Sequence, residues 1–256
     1  MSSTDSRPLA GASVLITRPA GQGRALARRV QALGGWALLL PGVSLRPMPD
    51  TPAARAALRH ALDGDMVVFT SPAAVRFAAA LAPLEGPARV ATVGRGTARA
   101  LHHHGVDEVL VPAERQDSEG LLAHPAMADL RGMRVAVVGA PGGRGVLQSG
   151  IREHGADMQR VHVYRRVPAR LDARHVRALR ALRSPAYILL SSAETLACLE
   201  RALQGEGWRH VRAAHAVVSS GRIERMARAS GFRQVAVAGS ALGDDLLRRV
   251  VELNGL

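Results

Sequence analysis

The sequence predicts an α/β protein built from two similar domains, each a parallel β-sheet flanked by helices. Three observations carry that reading. Short β-like runs alternate with helical patterns from end to end. Those runs are continuously apolar, which suits strands covered on both faces rather than half-solvated hairpins. The chain also repeats: "GASVLITRPAGQGRALARRVQALGG" at 11–35 overlies "GMRVAVVGAPGGRGVLQSGIREHGA" at 132–156 with a constant offset of 121 residues.

In chain order the strand-like runs are SVLIT (13–17), WALLL (36–40), MVVFT (66–70), RVATV (89–93) and EVLV (108–111). They continue with RVAVV (134–138), QRVHVY (159–164), AYILL (186–190), HAVV (215–218) and QVAV (234–237). Val, Ile and aromatic residues fit the pleated surface of a sheet. Between the first two runs Leu26, Val30 and Leu33 fall on one helical face. The offset aligns Gly11 with Gly132, Leu26 with Leu147, Val30 with Ile151, Gly34 with Gly155, Pro47 with Pro168 and Ser71 with Ser192. Further on, TVGRGTARALHHHG at 92–105 overlies VSSGRIERMARASG at 218–231, five residues out of the earlier step. The Pro- and Gly-rich stretches at 41–52 and near 167–170 hold equivalent places and mark the candidate connections between domains.

Composition narrows the chemistry. Hydrophobic residues make up 47% of 256 residues with no run near the ~18 apolar residues of a membrane span, so a soluble protein is expected. The opening MSSTDSRPLAGA shows no export pattern, so a cytoplasmic location is expected. Cys198 is the single cysteine and lies in a helical apolar pattern, so it reads as an inert core thiol. All 34 basic residues are Arg, against 21 acidic ones. Without Lys there is no Schiff-base chemistry and no P-loop. Forked, permanently charged donors remain, suited to carboxylate or phosphate.

The junction VVFTSPAAVRF (67–77) shows where a ligand would sit, because parallel sheets bind ligands beyond their carboxyl edges. Thr70 or Ser71 can cap a helix whose first residue is Pro72. Ser191 and Ser192 recur at the equivalent edge, and Ser219 with Ser220, Gly94 and Gly96 with Thr97, and GAPGGRG at 139–145 end other strands. Helix starts with free N–H groups facing one cleft would bind anions. Tyr164, beside Arg165 and Arg166, closes the 159–164 run and could donate a proton. The triplet His102, His103 and His104 reads as a solvated helix face, since successive helical side chains diverge. No HExxH, cysteine pair, GxSxG or full dinucleotide fingerprint occurs, so no metal or cofactor is expected.

These residues resemble the uroporphyrinogen-III synthase family along nearly the whole chain. The likeness rests on VLITRPA (14–20), VVFTSPAAVRF, VGRGTARAL (93–101), SEGLL (118–122), GGRGVLQSGIREHGADMQRVHVYRR (142–166) and LLSS (189–192), in that order and spacing. The resemblance implies an interleaved arrangement: residues 1–38 with 170–256 as one domain, 45–163 as the other, and 39–44 and 164–169 as linker strands forming a two-stranded β-ladder. It further implies cofactor-free closure of hydroxymethylbilane to uroporphyrinogen III, with ring D inverted and water lost, by a monomer that meets the bilane-producing enzyme at most transiently. By motif position Tyr164 matches the tyrosine proposed to help the hydroxyl leave, and Thr70, Ser71, Gly94, Thr97, Ser191 and Ser192 match binding positions. Arg18 and Arg144 are added as candidate carboxylate clamps, and Gly143 as a candidate substrate-binding residue. Where many members carry Gly-Pro-Thr, this chain has Ser220, Gly221, Arg222 and Ile223. The threonine's role is therefore lost or passes to Ser219, Ser220 or Arg222. Two rival functions lack catalysis. A basic nucleic-acid module is disfavoured by 3% aromatics and scattered Arg, and a two-domain anion or sugar-phosphate binder of the exported kind by the missing export signal.

Overall fold

A computed structural model describes residues 7–142 and 145–255. The first copy of the repeat supplies β1 (Ser13–Ile16), α1 (Arg24–Ala32), β2 (Trp36–Leu39), β3 (Val43–Pro47), α2 (Thr51–Leu62), β4 (Met66–Phe69), α3 (Pro72–Ala79), β5 (Arg89–Thr92), α4 (Arg95–His103) and β6 (Val109–Leu110). After α5 (Ser118–Leu122) the second copy follows with β7 (Arg134–Gly139), α6 (Val146–Glu153), β8 (Asp157–His162), β9 (Tyr164–Pro168), α7 (Ala173–Arg180), β10 (Ala186–Leu190) and α8 (Ala193–Ala202). Then come α9 (Glu206–Ala213), β11 (His215–Val218), α10 (Gly221–Ala229), β12 (Val235–Val237) and α11 (Gly243–Asn254).

The sequence offset is a structural one. Moving β3 by 121 residues gives the bounds of β9, and moving β5 and α4 by 126 gives those of β11 and α10. The five extra residues accumulate across α9, which has no counterpart between α3 and β5. Equivalent turns match in backbone detail as well. Gly34 and Gly155 end α1 and α6 with φ of +84° and +94°, a left-handed conformation in which a Cβ is strained.

Two five-stranded parallel sheets form, ordered β12-β11-β10-β1-β2 and β6-β5-β4-β7-β8, while β3 and β9 pair as a two-stranded sheet. The sheet orders are identical under the offset, yet each sheet draws strands from both copies. β1 pairs with β10 in register Ser13 to Ala186, and β4 with β7 in register Met66 to Val135. One compact unit therefore takes the residues up to Leu45 and from Val167 on, and the other Arg46–Arg166.

Apolar residues of each sheet meet the helices on both faces. In the first unit Leu15, Ile188 and Leu199 form one cluster, and Val14, Val30 and Leu247 form a cluster on the other side. In the second unit Val68, Leu121, Leu147 and Ile151 pack together. Cys198 is buried in the first unit, as its pattern suggested. The 159–164 run is divided: β8 ends at His162 and Tyr164 opens β9, so Tyr164 starts a strand instead of closing one. The 108–111 run contributes only Val109 and Leu110. No helix among the described residues is long and apolar enough to cross a membrane.

Candidate functional site

In the Arg46–Arg166 unit the chain leaves β4 toward β5 and β6, then returns to begin β7 on the other side of β4. The loops after β4 and β7 therefore run in opposite directions, and such a switch point opens a crevice past the strand ends. A cavity of about 380 Å³ lies there, bordered by the residues that follow β4 and β7, the start of α6, and the β8–β9 segment.

Local chemistry fixes its walls. Thr70 Oγ1 donates to the Val138 carbonyl at 3.0 Å, tying the ends of β4 and β7 together. A Cβ on Gly139 would come within 2.5 Å of that same Oγ1, so glycine there leaves room for the tie. Ser71 Oγ accepts from the Ala74 N–H at 3.1 Å and caps α3. Tyr164 OH lies 3.4 Å from Ser71 Oγ, and the buried tyrosine ring stacks on Phe77 with centroids 5.2 Å apart. Arg166 donates to the Pro141 carbonyl at 2.8 Å, tying β9 to the residues just after β7.

The cavity is polar and cationic. Arg160, His162, Tyr164 and Arg166 line it along one segment, with Ser118 and Gln148 from α5 and α6, and no carboxylate is among the described lining residues. Burial, with a smaller contribution from Arg160, pushes His162 below its usual imidazole range. Such a surface attracts anions.

The structure brings Thr70, Ser71 and Tyr164 together at this cavity. Gly94 and Thr97 do not border it. Gly94 precedes α4 with an extended φ of −176°, and Thr97 is buried in the first turn. Gly143 and Arg144 lie outside the described residues. At several of these helix starts one first-turn amide is taken up by a side-chain cap. The serines cap their own helices: Ser71 as above, Ser192 through the Thr195 N–H and Ser220 through the Ile223 N–H, both at 3.4 Å. At α4 the Arg95 N–H donates to Gln116 Oε1 at 2.5 Å, while Gln116 Nε2 donates to the Pro112 carbonyl.

The other unit has the same switch point, between β10 and β1. Thr17 Oγ1 donates to the Leu189 carbonyl at 2.6 Å across it, as Thr70 does in its own sheet. Ser191 and Ser192 follow β10 at this edge, Ser219 and Ser220 follow β11, and Arg222 is exposed on α10. Arg18 donates to the Ala241 carbonyl at 2.7 Å, its Nε is buried without a partner among the described residues, and burial lowers its pKa.

Reading the sequence missed Ser118, Gln148, Arg160, His162 and Arg166 as cavity residues, and Gln116 as a cap. For the β8–β9 row a signal existed: polar residues at 160, 162, 164 and 166 alternate with Val161 and Val163. For Gln116 there was none, since it caps a helix 21 residues earlier in the chain. Gln116→Ala should leave the Arg95 amide unpaired and lower stability by about 0.5–2 kcal/mol. Thermal melting of the variant checks this, and an unchanged midpoint would contradict it.

Fold and crevice together define the class: a duplicated, interleaved α/β protein whose arginine-bearing switch point suits an anionic small molecule. The chain belongs to the uroporphyrinogen-III synthase family, whose model, described as uroporphyrinogen-III synthase HemD, matches residues 24–248. The uroporphyrinogen-III synthase of Salmonella typhimurium is 30% identical over 244 residues, covering 92% of this chain and 98% of that protein. Its Escherichia coli namesake is 28% identical over 246 residues, with the same coverage. Among solved structures, uroporphyrinogen-III synthetase from Helicobacter pylori superposes with a TM-score of 0.61 at 14% identity, covering 94% of this chain and 99% of that one. A mutant Thermus thermophilus uroporphyrinogen III synthase gives 0.57 at 23%, covering 96% and 100%. At such identities these two likenesses speak for the fold.

Proposed function

We propose that this chain closes hydroxymethylbilane, a linear tetrapyrrole, to uroporphyrinogen III, inverting ring D and releasing water, and so acts as a cyclising lyase of tetrapyrrole biosynthesis. The single observation that carries the reading beyond family membership is the switch-point cavity, cationic and free of carboxylates among its described residues. The substrate carries eight carboxylates, and arginines bind carboxylates through paired, charge-assisted hydrogen bonds. Spontaneous closure gives the type I isomer, so the enzyme's task is to hold the chain bent with ring D turned. Orientation of this kind supplies a large part of a barrier reduction.

In this reading Tyr164 assists departure of the hydroxyl, while Thr70 and Ser71 shape the wall against which the substrate rests. Gly94, Thr97, Gly143 and Arg144 are assigned to binding by motif position or sequence context. Arg18, Ser191, Ser192, Ser219, Ser220 and Arg222 are assigned to binding at the carboxyl edge of the other sheet. We extend the proposal to a cytoplasmic monomer that works without a cofactor and meets the bilane-producing enzyme transiently; family resemblance supports this extension. The test is to supply hydroxymethylbilane and separate the products. The type III isomer should predominate with the protein present, and type I alone would overturn the assignment.

A further inference from the structure

Arg160, His162, Tyr164 and Arg166 line the cavity at every second position, while Val161 and Val163 between them are buried. A strand directs successive side chains to opposite faces, so β8 and the start of β9 present one continuous polar row to the crevice. His162 is the imidazole of that row, and it makes no hydrogen bond among the described residues. The other described groups on the wall are poor proton acceptors: a guanidinium has donors and no acceptor, and an amide or hydroxyl is too weak a base.

Closing the bilane requires a base. The C–O bond of the hydroxymethyl group breaks, its electron pair leaves with the oxygen, and the oxygen takes up a proton to depart as water. For ring D to invert, a C–C bond forms first at the ring-D carbon that already bears the neighbouring methylene bridge. The older bond to that bridge breaks with its electron pair returning to ring D, and the released methylene then bonds to the ring-D carbon that still carries hydrogen. That hydrogen must leave as a proton, its electron pair returning to the ring to restore aromaticity. One proton is delivered and one removed, so no outside reagent is consumed.

Resting on the function proposed above, we propose that His162 is the catalytic base that removes this ring proton, on the same strand face from which Tyr164 serves the leaving hydroxyl. Burial, with a smaller contribution from the charge of Arg160, favours the neutral imidazole, the form that can accept a proton. The titratable and charged groups around it are Arg160, Tyr164 and Arg166 from β8 and β9, whereas the described lining residues of α5, α6 and the β4 and β7 loops bring only uncharged groups.

The experiment measures kcat against pH with hydroxymethylbilane for the wild type, His162→Asn and His162→Gln. Wild-type kcat should fall on the acid side, where the imidazole takes up a proton and can no longer accept one. In both variants kcat should drop by about 100-fold and the acid limb should vanish. A variant that keeps wild-type kcat together with its acid limb overturns the role of His162. If neither variant folds, as read by circular dichroism, the wild-type profile decides: a kcat that is flat across roughly pH 5 to 8 overturns the role, and an acid limb supports it. A wild type that yields only type I product would sink the assigned reaction, whereas type III formation undiminished in the variants would sink the base alone.

Discussion

Tyr164→Phe should lower the rate of type III formation by about 100-fold, the usual scale for losing a positioned proton donor. The fold should survive, because the phenyl ring retains the stack on Phe77 and the buried position that Tyr164 occupies. What disappears is the hydroxyl 3.4 Å from Ser71 Oγ, a long contact whose loss costs about 1 kcal/mol or less. As enzymatic closure slows, spontaneous closure takes a larger share, so the type I fraction should rise with the fall in rate. Product analysis and a thermal melt on the same sample check both halves. Full activity with an unchanged isomer ratio would remove Tyr164 from the chemistry.

Ile151→Ala should destabilise the Arg46–Arg166 unit by about 2–5 kcal/mol, the cost of emptying a fully buried aliphatic site. Ile151 lies on α6 among Leu121, Met127 and Leu147, with no exposed surface to absorb the loss. The two tryptophans, Trp36 and Trp208, both belong to the other unit. Urea unfolding followed by tryptophan emission should therefore keep its wild-type midpoint, while circular dichroism, which sees both sheets, loses signal at lower urea. Coincident shifts in both probes would show that the chain unfolds as one cooperative body.

Much of the fold was legible because the repeat is written in residues with narrow conformational uses. Gly34 and Gly155 terminate equivalent helices in a left-handed turn, and Ser71 and Ser192 cap equivalent ones. Less of the site could be read. Thr70, Ser71 and Tyr164 were found from the junction and from motif position, and they meet at one cavity. Gly94 and Thr97 were drawn from the same kind of junction and do not border it. A strand-to-helix junction announces a capped helix wherever it falls, but not which junction flanks the switch point. Arg165, singled out beside Tyr164, is exposed on β9 and does not border the cavity, whose lining falls on the alternate positions Arg160, His162 and Arg166.

The sequence by itself determined the alternation of strands and helices, the duplication and the caps, because each depends on local periodicity or on the stereochemistry of a single residue. Only the tertiary structure decided that β1 lies beside β10 and β7 beside β4. Parallel strands joined by helical crossovers bury similar apolar faces whichever neighbour they choose, so hydrophobic pattern is silent on strand order. Strand order is what sets the switch points, and with them the crevice where Tyr164, His162 and the two arginines converge.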